Sequence, residues 1–484
     1  MSSWLLRAAP RRPVAWSPAA LLPAANCWYG HFSTTSALGS SAPTTSRTNS
    51  GALSGVKILD LTRVLAGPFC TQILADYGAD VVKVEHPKGG DDTRLWREED
   101  EKTFWKDGEA TSLYFHTINR NKRSIAVNLK HAKGRQLVLD LARQADVVVE
   151  NFIPGKLEQL GLGYATLKSI NPSVILASIS GYGATGPYAH RAGYDVIGAA
   201  EGGLLHITGE PDGAPTKPGV GLMDMCTGLY LHGAILAALR QRDVTGGRTG
   251  GGLGQHVDTS LFETTVSVTA NVGMAWLNLE KEARRWGTAH PTIVPYEAFP
   301  TLDAYIVVGA VNDRQFETLC KLLGGVSDDD ANAASAVSPG ACAAANTTDI
   351  ASLYESPLYS SNAARVQNRV ALHHLLAARF AKRPTAEWER IFAGSGMPYG
   401  PVNTLQKAFA HPQAAARRMV ETVPQEAAVS GRVKVLGMPV KFSESQPTMR
   451  TPPPALGQHT EEVLTEALGM TAKEIAELRK EGAI

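Results

Sequence analysis

Hydrophobic positions in the first half of the chain fall into short apolar runs separated by longer amphipathic stretches. Val56-Lys-Ile-Leu-Asp-Leu61, Val81-Val-Lys-Val-Glu85, Ser124-Ile-Ala-Val-Asn128, Val147–Glu150 and Val174–Ile179 have the length and composition of strands. Between them, helical spacing covers Pro68–Tyr77, with proline in its first turn, and Gly134–Gln144. Strands alternating with helices predict an α/β fold whose parallel sheet is covered on both faces. Ligands of such sheets bind beyond the carboxyl ends of the strands, which directs attention to Thr62–Gly67, His86, Asn151-Phe152 and Gly181-Tyr182.

After Asp258 helical spacing dominates, until a strand over Ala304–Ala310 and a helix over Asp313–Leu323 open a second mixed region. Gly324–Thr348, full of Ala, Ser, Asp and Asn, reads as a low-complexity surface insertion. The chain then passes through a turn-rich segment, Gly396–Asn403, and strands near Val433 and Val440. It closes with helices at Glu461–Leu468 and Thr471–Glu481.

At 484 residues the chain exceeds one typical core, so two or three domains are expected. Its net charge of +1 argues against a nucleic-acid or membrane-surface role, leaving small molecules or other subunits as partners. No apolar stretch is expected to span a membrane, because Gly233 interrupts the longest one and Arg240 and Arg242 close it. Five scattered cysteines, an odd number, favour a reducing compartment over a disulfide framework. Met1–Leu59 contains no Asp or Glu, while Arg7, Arg11, Arg12 and Arg47 stand among Ser, Thr, Ala and Leu. That is the composition of a mitochondrial transit peptide, with a disordered tail as the alternative, and residues 1–50 are set aside from the fold.

The candidate chemistry centres on Asp224, in Gly221-Leu-Met-Asp-Met-Cys-Thr-Gly228 at the start of a long apolar helix. Its position fits an ordinary N-cap and a catalytic carboxylate equally well. The approach, Gly202–Gly221, is rich in turn formers, as surface connections that carry sites often are. The helix dipole is expected to keep the carboxylate ionised. A dinucleotide-binding fingerprint is absent, since Leu61–Gly67 supplies one glycine where three are required, and no P-loop occurs. Gly246–Gly254 reads as a flexible helix-to-helix connection in preference to a phosphate cradle. The adjacent His373-His374 lack metal-ligand spacing. Asn119-Arg-Asn-Lys-Arg-Ser124 concentrates three cations before a strand, either as a solvated edge or as a clamp for phosphate.

Taken in order, LDLTRVLAGPFCTQILADYGADVVKVEHPKGGDDTR, NRNKRSI, VVVENFIPGKLEQLGLGY, RAGYD, GLMDMCTG, GQHVDTSLFE and GMPYGPVNT resemble the class III CoA-transferases, a family that includes the α-methylacyl-CoA racemases. The resemblance runs from about Gly55 to the C-terminus. It implies a Rossmann-like large domain with a parallel sheet, a smaller α+β domain, and an interlocked ring homodimer. The corresponding boundaries are 51–255 for the large CoA-binding domain, 256–394 for linker helices and the small domain, and 395–484 for a segment returning to the large one.

The same resemblance implies that Asp224 is the catalytic nucleophile and that Leu65, Ala66, His86, Lys122, Arg123, Asn151 and Phe152 contact CoA. Related transferases often carry Arg or Lys at the positions of His86 and Gln159. It further implies transfer of CoA from succinyl-CoA to a dicarboxylic acid such as glutarate or hydroxymethylglutarate, through aspartyl anhydride and aspartyl-CoA intermediates. CoA is then a substrate and no tightly bound cofactor is required. Tyr182, Tyr194 and His206, with Arg191 and Tyr296, are candidates for the acyl pocket, each with a packing role as the alternative. Backbone N–H groups near Asp224 and in Gly181-Tyr182-Gly183 are candidate oxyanion donors.

Racemases of the family place a histidine where this chain has Tyr194. A tyrosine titrating near 10 is a poor base at neutral pH, so transfer is favoured over racemisation, with non-catalytic CoA binding as the third alternative.

Overall fold

The computed structural model describes residues 51–106, 111–326 and 349–484. The expected leader and residues 327–348 of the expected insertion lie outside the described residues.

Strands β1 (Lys57–Asp60), β2 (Asp80–Glu85), β3 (Lys122–Ala126), β4 (Val147–Glu150), β5 (Ile175–Ser180) and β6 (His256–Ser260) form one sheet. Its order is β3-β2-β1-β4-β5-β6 and every neighbouring pair is parallel. The central strands are apolar almost throughout because both faces are buried. Leu59, Val82, Ile125, Val148 and Leu176 join a core with Leu137 and Leu141 on one side of the sheet. Ile58, Val81, Val147, Ile175 and Ala177 join another, with Cys70, Leu74, Leu231 and Ile235.

β6 was not expected as a strand. Its sequence, His-Val-Asp-Thr-Ser, lacks an apolar run because it lies at the sheet edge, half covered. The glycine cluster before it therefore connects a helix to a strand, correcting the helix-to-helix reading. Gly254 belongs to packing, since a Cβ there would lie 1.8 Å from the Val174 carbonyl oxygen.

The helix Leu222–Val244 runs through Gly233 without a break, and by length and composition it is apolar enough to cross a membrane, contrary to expectation. One glycine costs a helix about 1 kcal/mol, which packing readily offsets. Here Leu231 and Ile235 are fully buried against the sheet, and Arg242 pairs with the buried Asp146 at 2.8 Å. These contacts are those of a core helix.

A separate core gathers around an antiparallel sheet of β7 (Tyr296–Pro300), β8 (Tyr305–Gly309) and β9 (Tyr399–Pro401). Phe299, Ile306, Phe316, Leu376, Phe380 and Trp388 fill it, and β9 carries this unit past residue 394. Next, β10 (Val420–Pro424) pairs antiparallel with β11 (Arg432–Leu436). Val433 is thus in a strand, whereas Val440 is not; the partner strand lies N-terminal to Val433. The chain end returns to the large sheet: Val463, Leu464, Ile475 and Leu478 enter its core, and the His459 N–H donates to the Ser124 carbonyl at 2.9 Å.

Candidate active site

The strand order reverses between β1 and β4, and a crevice opens where connections at such a switch point diverge. Beyond β1 the chain turns sharply into the helix Ala66–Asp76. Val64 sits there at φ 72°, a strained conformation for a β-branched residue. Buried polar bonds hold the turn. Asp91 Oδ1 accepts from the Val64 N–H at 3.1 Å, Lys83 Nζ donates to the Thr62 carbonyl at 2.7 Å, and Lys83 pairs with Asp91 at 3.0 Å.

Beneath that turn, Asp60 accepts from the Thr71 hydroxyl at 2.6 Å and pairs with Lys122 at 3.1 Å. Lys122 also donates to the Pro68 carbonyl and to Asn119 Oδ1. Burial pulls the Lys122 ammonium down to about 8 against the attraction of Asp60. Burial would raise the Asp60 carboxyl, but Lys122 and Lys83 outweigh it and hold it at about 2. Lys122 is therefore an internal counter-ion with no exposed surface, which corrects its reading as a CoA contact. Arg123 is partly buried and held by Asp80 at 2.7 Å, Glu466 at 2.9 Å and Glu462 at 3.3 Å, and it lines neither of the cavities described next. His86 is exposed, its Nδ1 3.0 Å from the Lys88 N–H, and it lines neither of the cavities described next.

The other predicted CoA contacts come together. Leu65, Ala66, Asn151, Phe152 and Gln159 line a cleft of about 520 Å³. Asn151 fixes the β1 turn to the β4 turn, accepting from the Arg63 N–H at 3.0 Å and donating to the Arg63 carbonyl at 2.7 Å. The start of the helix Ala66–Asp76 has no side-chain cap. Arg63, Lys156 and Arg191 add positive charge to the lining, although Arg63 is shared with Asp92 and Arg191 with Glu201. Gly181 and Gly193 cross at backbone contact in the wall, where a Cβ on Gly193 would meet the Gly181 Cα at 2.4 Å.

A second cavity, about 650 Å³, lies alongside and is walled by Trp96, Tyr114, Val196, Val220 and Met225, with Lys217 in its lining. Val64, Leu65, Tyr194 and Asp224 border both cavities. Asp224 is the third residue of its helix and Gly221 occupies the N-cap, so the capping interpretation does not hold. Asp195 performs that role from a neighbouring helix, its Oδ1 accepting from the N–H of Met223 at 2.7 Å and of Asp224 at 3.2 Å. No hydrogen bond occupies the Asp224 carboxyl among the described residues. Burial, and then the Asp195 charge, push it up to about 7. The helix dipole was expected to help keep it ionised; desolvation and a like charge outweigh a contribution of that size.

The pocket candidates divide. Tyr194 is at the shared border and 62% exposed. Tyr182 packs against Tyr188, Phe262 and the Arg191 guanidinium, outside both linings. His206 points toward the Ala283 carbonyl and Glu282, and Tyr296 stacks on His290; neither borders either of these two cavities. The Gly183 N–H is taken by Ser180 Oγ at 2.9 Å, which removes it as an oxyanion donor.

The model of CoA-transferase family III matches residues 53–338 and 328–460. The chain belongs to CoA-transferase family III. An acyl-CoA transferase of Fusarium pseudograminearum is 53% identical over 437 residues, covering 90% of this chain and 88% of the relative. The human succinyl-CoA:glutarate CoA-transferase is 43% identical over 442 residues, covering 91% and 92%. The crystal structure of a CaiB/BaiF family protein from Brucella suis superposes with a TM-score of 0.72 at 39% identity, covering 86% of this chain and 99% of that one.

As a family III CoA-transferase the protein is an enzyme acting on CoA thioesters. Arg63 and Val64 fall in the strand-end segment Thr62–Gly67 singled out above, whereas Trp96, Tyr114, Lys156, Asp195 and Lys217 at the cavities were not anticipated. Lys156 could have been found from its place just after β4. Trp96 stands in an irregular segment with no local signal; Lys217 lies in the turn-rich approach Gly202–Gly221, which marked the segment but not the residue.

Proposed function

We propose that this enzyme moves CoA from succinyl-CoA to glutarate or hydroxymethylglutarate, with Asp224 as its nucleophile. The observation that carries the reading is Asp224 itself, a carboxyl free of hydrogen bonds among the described residues, at the border between a cleft with cationic residues and a largely apolar chamber. The names of the human and mouse relatives, both succinyl-CoA:glutarate CoA-transferases, support the choice of acids. Leu65, Ala66, Asn151 and Phe152 hold CoA in the first cleft, with its phosphates toward Arg63, Lys156 and the helix start at Ala66.

The ionised Asp224 attacks the thioester carbonyl, giving a mixed anhydride and CoA thiolate. The thiolate attacks the aspartyl carbonyl, so the first acid leaves and an aspartyl-CoA thioester forms. The second acid attacks that thioester, giving a new anhydride and thiolate. The thiolate then takes the acyl group and restores the aspartate. The sequence uses carboxylate and thiolate alone and calls for no metal or redox cofactor. Every intermediate hydrolyses readily, so water must be excluded from both cavities. The racemase alternative requires a base at Tyr194, where the side chain is a phenol.

Assembly as an interlocked homodimer is supported by the apolar groups left uncovered on one chain, among them Met274, Trp276, Leu277 and Leu279. Targeting to the mitochondrial matrix is supported by the acid-free, arginine-bearing first 59 residues. The test is to incubate the enzyme with succinyl-CoA and hydroxylamine and locate the adduct by mass spectrometry. A hydroxamate on the Asp224 peptide is expected. Modification elsewhere, or exchange of labelled succinate into succinyl-CoA by Asp224→Ala, rejects the assignment.

A further inference from the structure

The chamber beside Asp224 is apolar over most of its wall, yet Lys217 enters its lining. The ammonium of Lys217 has no carboxylate partner among the described residues, and its one hydrogen bond goes to the carbonyl of the adjacent Pro218 at 2.9 Å. The acidic groups at the same chamber are otherwise engaged or assigned: Asp195 Oδ1 receives two helix N–H groups, and Asp224 is the reacting carboxylate. An acyl chain joined to Asp224 and extending into this chamber has apolar walls for its methylenes and one cation for its end.

We propose that Lys217 receives the distal carboxylate of the acyl group and so selects dicarboxylic over monocarboxylic acids. The proposal rests on the reading that the acyl substrates are dicarboxylates. A charge-assisted hydrogen bond to a desolvated carboxylate contributes about 1.5–3 kcal/mol, enough for at least tenfold discrimination. Lys217 stands on an exposed loop, so its loss leaves the fold and the nucleophile intact.

The experiment compares glutarate with pentanoate, which has the same chain length and no distal charge, as acceptors at saturating succinyl-CoA. In Lys217→Met the KM for glutarate rises at least tenfold, kcat changes little, the rate with pentanoate is unchanged, and Lys217→Arg restores much of the preference. If the native enzyme favours glutarate and Lys217→Met keeps the same glutarate-to-pentanoate ratio, Lys217 is not the selector and the dicarboxylate reading stands. If the native enzyme does not favour glutarate, the dicarboxylate reading fails and this proposal with it.

Discussion

Asp195 and Asp224 stand at one helix start, and the first caps the turn that carries the second, with Asp195 Oδ1 3.2 Å from the Asp224 N–H. The cap delivers a charge along with a hydrogen-bond acceptor. Burial is the larger cause of the Asp224 shift to about 7, and the Asp195 charge adds to it. Attack requires the ionised form, so kcat/KM for the acyl-CoA falls as pH drops through about 7. Asp195→Asn retains an acceptor and removes the charge. It is expected to move the midpoint of the kcat/KM–pH profile downward by up to about one unit. A midpoint left in place, with normal stability, removes Asp195 from the account.

The same shift makes Asp224 a cost to stability. Its folded pKa lies above the unfolded value, so the protonated form is favoured on folding. The advantage is full below about pH 4 and disappears as pH rises through about 7. Asp224→Asn is therefore expected to match the native enzyme near pH 4 and to exceed it by about 1–3 kcal/mol at pH 8. Denaturant unfolding at the two pH values measures the difference. A variant less stable at pH 8 contradicts it.

Lys122 and Lys156 separate structural from ligand-facing cations. Lys122→Met leaves Asp60 buried without its partner and is expected to cost about 3–5 kcal/mol of stability. Lys156→Ala is expected to leave the melting temperature unchanged and raise the KM for acyl-CoA severalfold. Calorimetry and initial rates on both variants decide the matter, and reversed results would return Lys122 to the binding site.

Gly193→Ala places a methyl against the Gly181 backbone, where no flexible side chain can yield. The strand-end loop must separate, shifting the cleft wall. A loss of about 1–3 kcal/mol is expected, together with a higher KM for acyl-CoA. Unchanged binding would mean that the crossing is dispensable for the cleft.

How much the chain reveals depends on whether a feature is local. β1, β2, β4 and β5 were legible because buried strands are apolar in a row; β3, at one edge, was found two residues late because it opens with Lys122 and Arg123, and β6, polar at the other edge, was not found. Asp224, Leu65, Ala66, Asn151 and Phe152 were placed by motifs that directly follow strands or open a helix. Lys122 misled because a charged triplet looks alike whether it faces solvent, a phosphate or buried carboxylates. Only the long-range partner Asp60 distinguishes these cases. The second cavity draws Trp96, Tyr114 and Lys217 from separate segments, a convergence created by the fold.

The shared border of the two cavities at Asp224 also bears on traffic. If CoA occupies the first cavity and the exchanging acid the second, as proposed, one acid can depart and the next arrive while CoA stays tethered through the aspartyl thioester. On that arrangement CoA need not be released at mid-turnover, and the acids compete for a single chamber without displacing it.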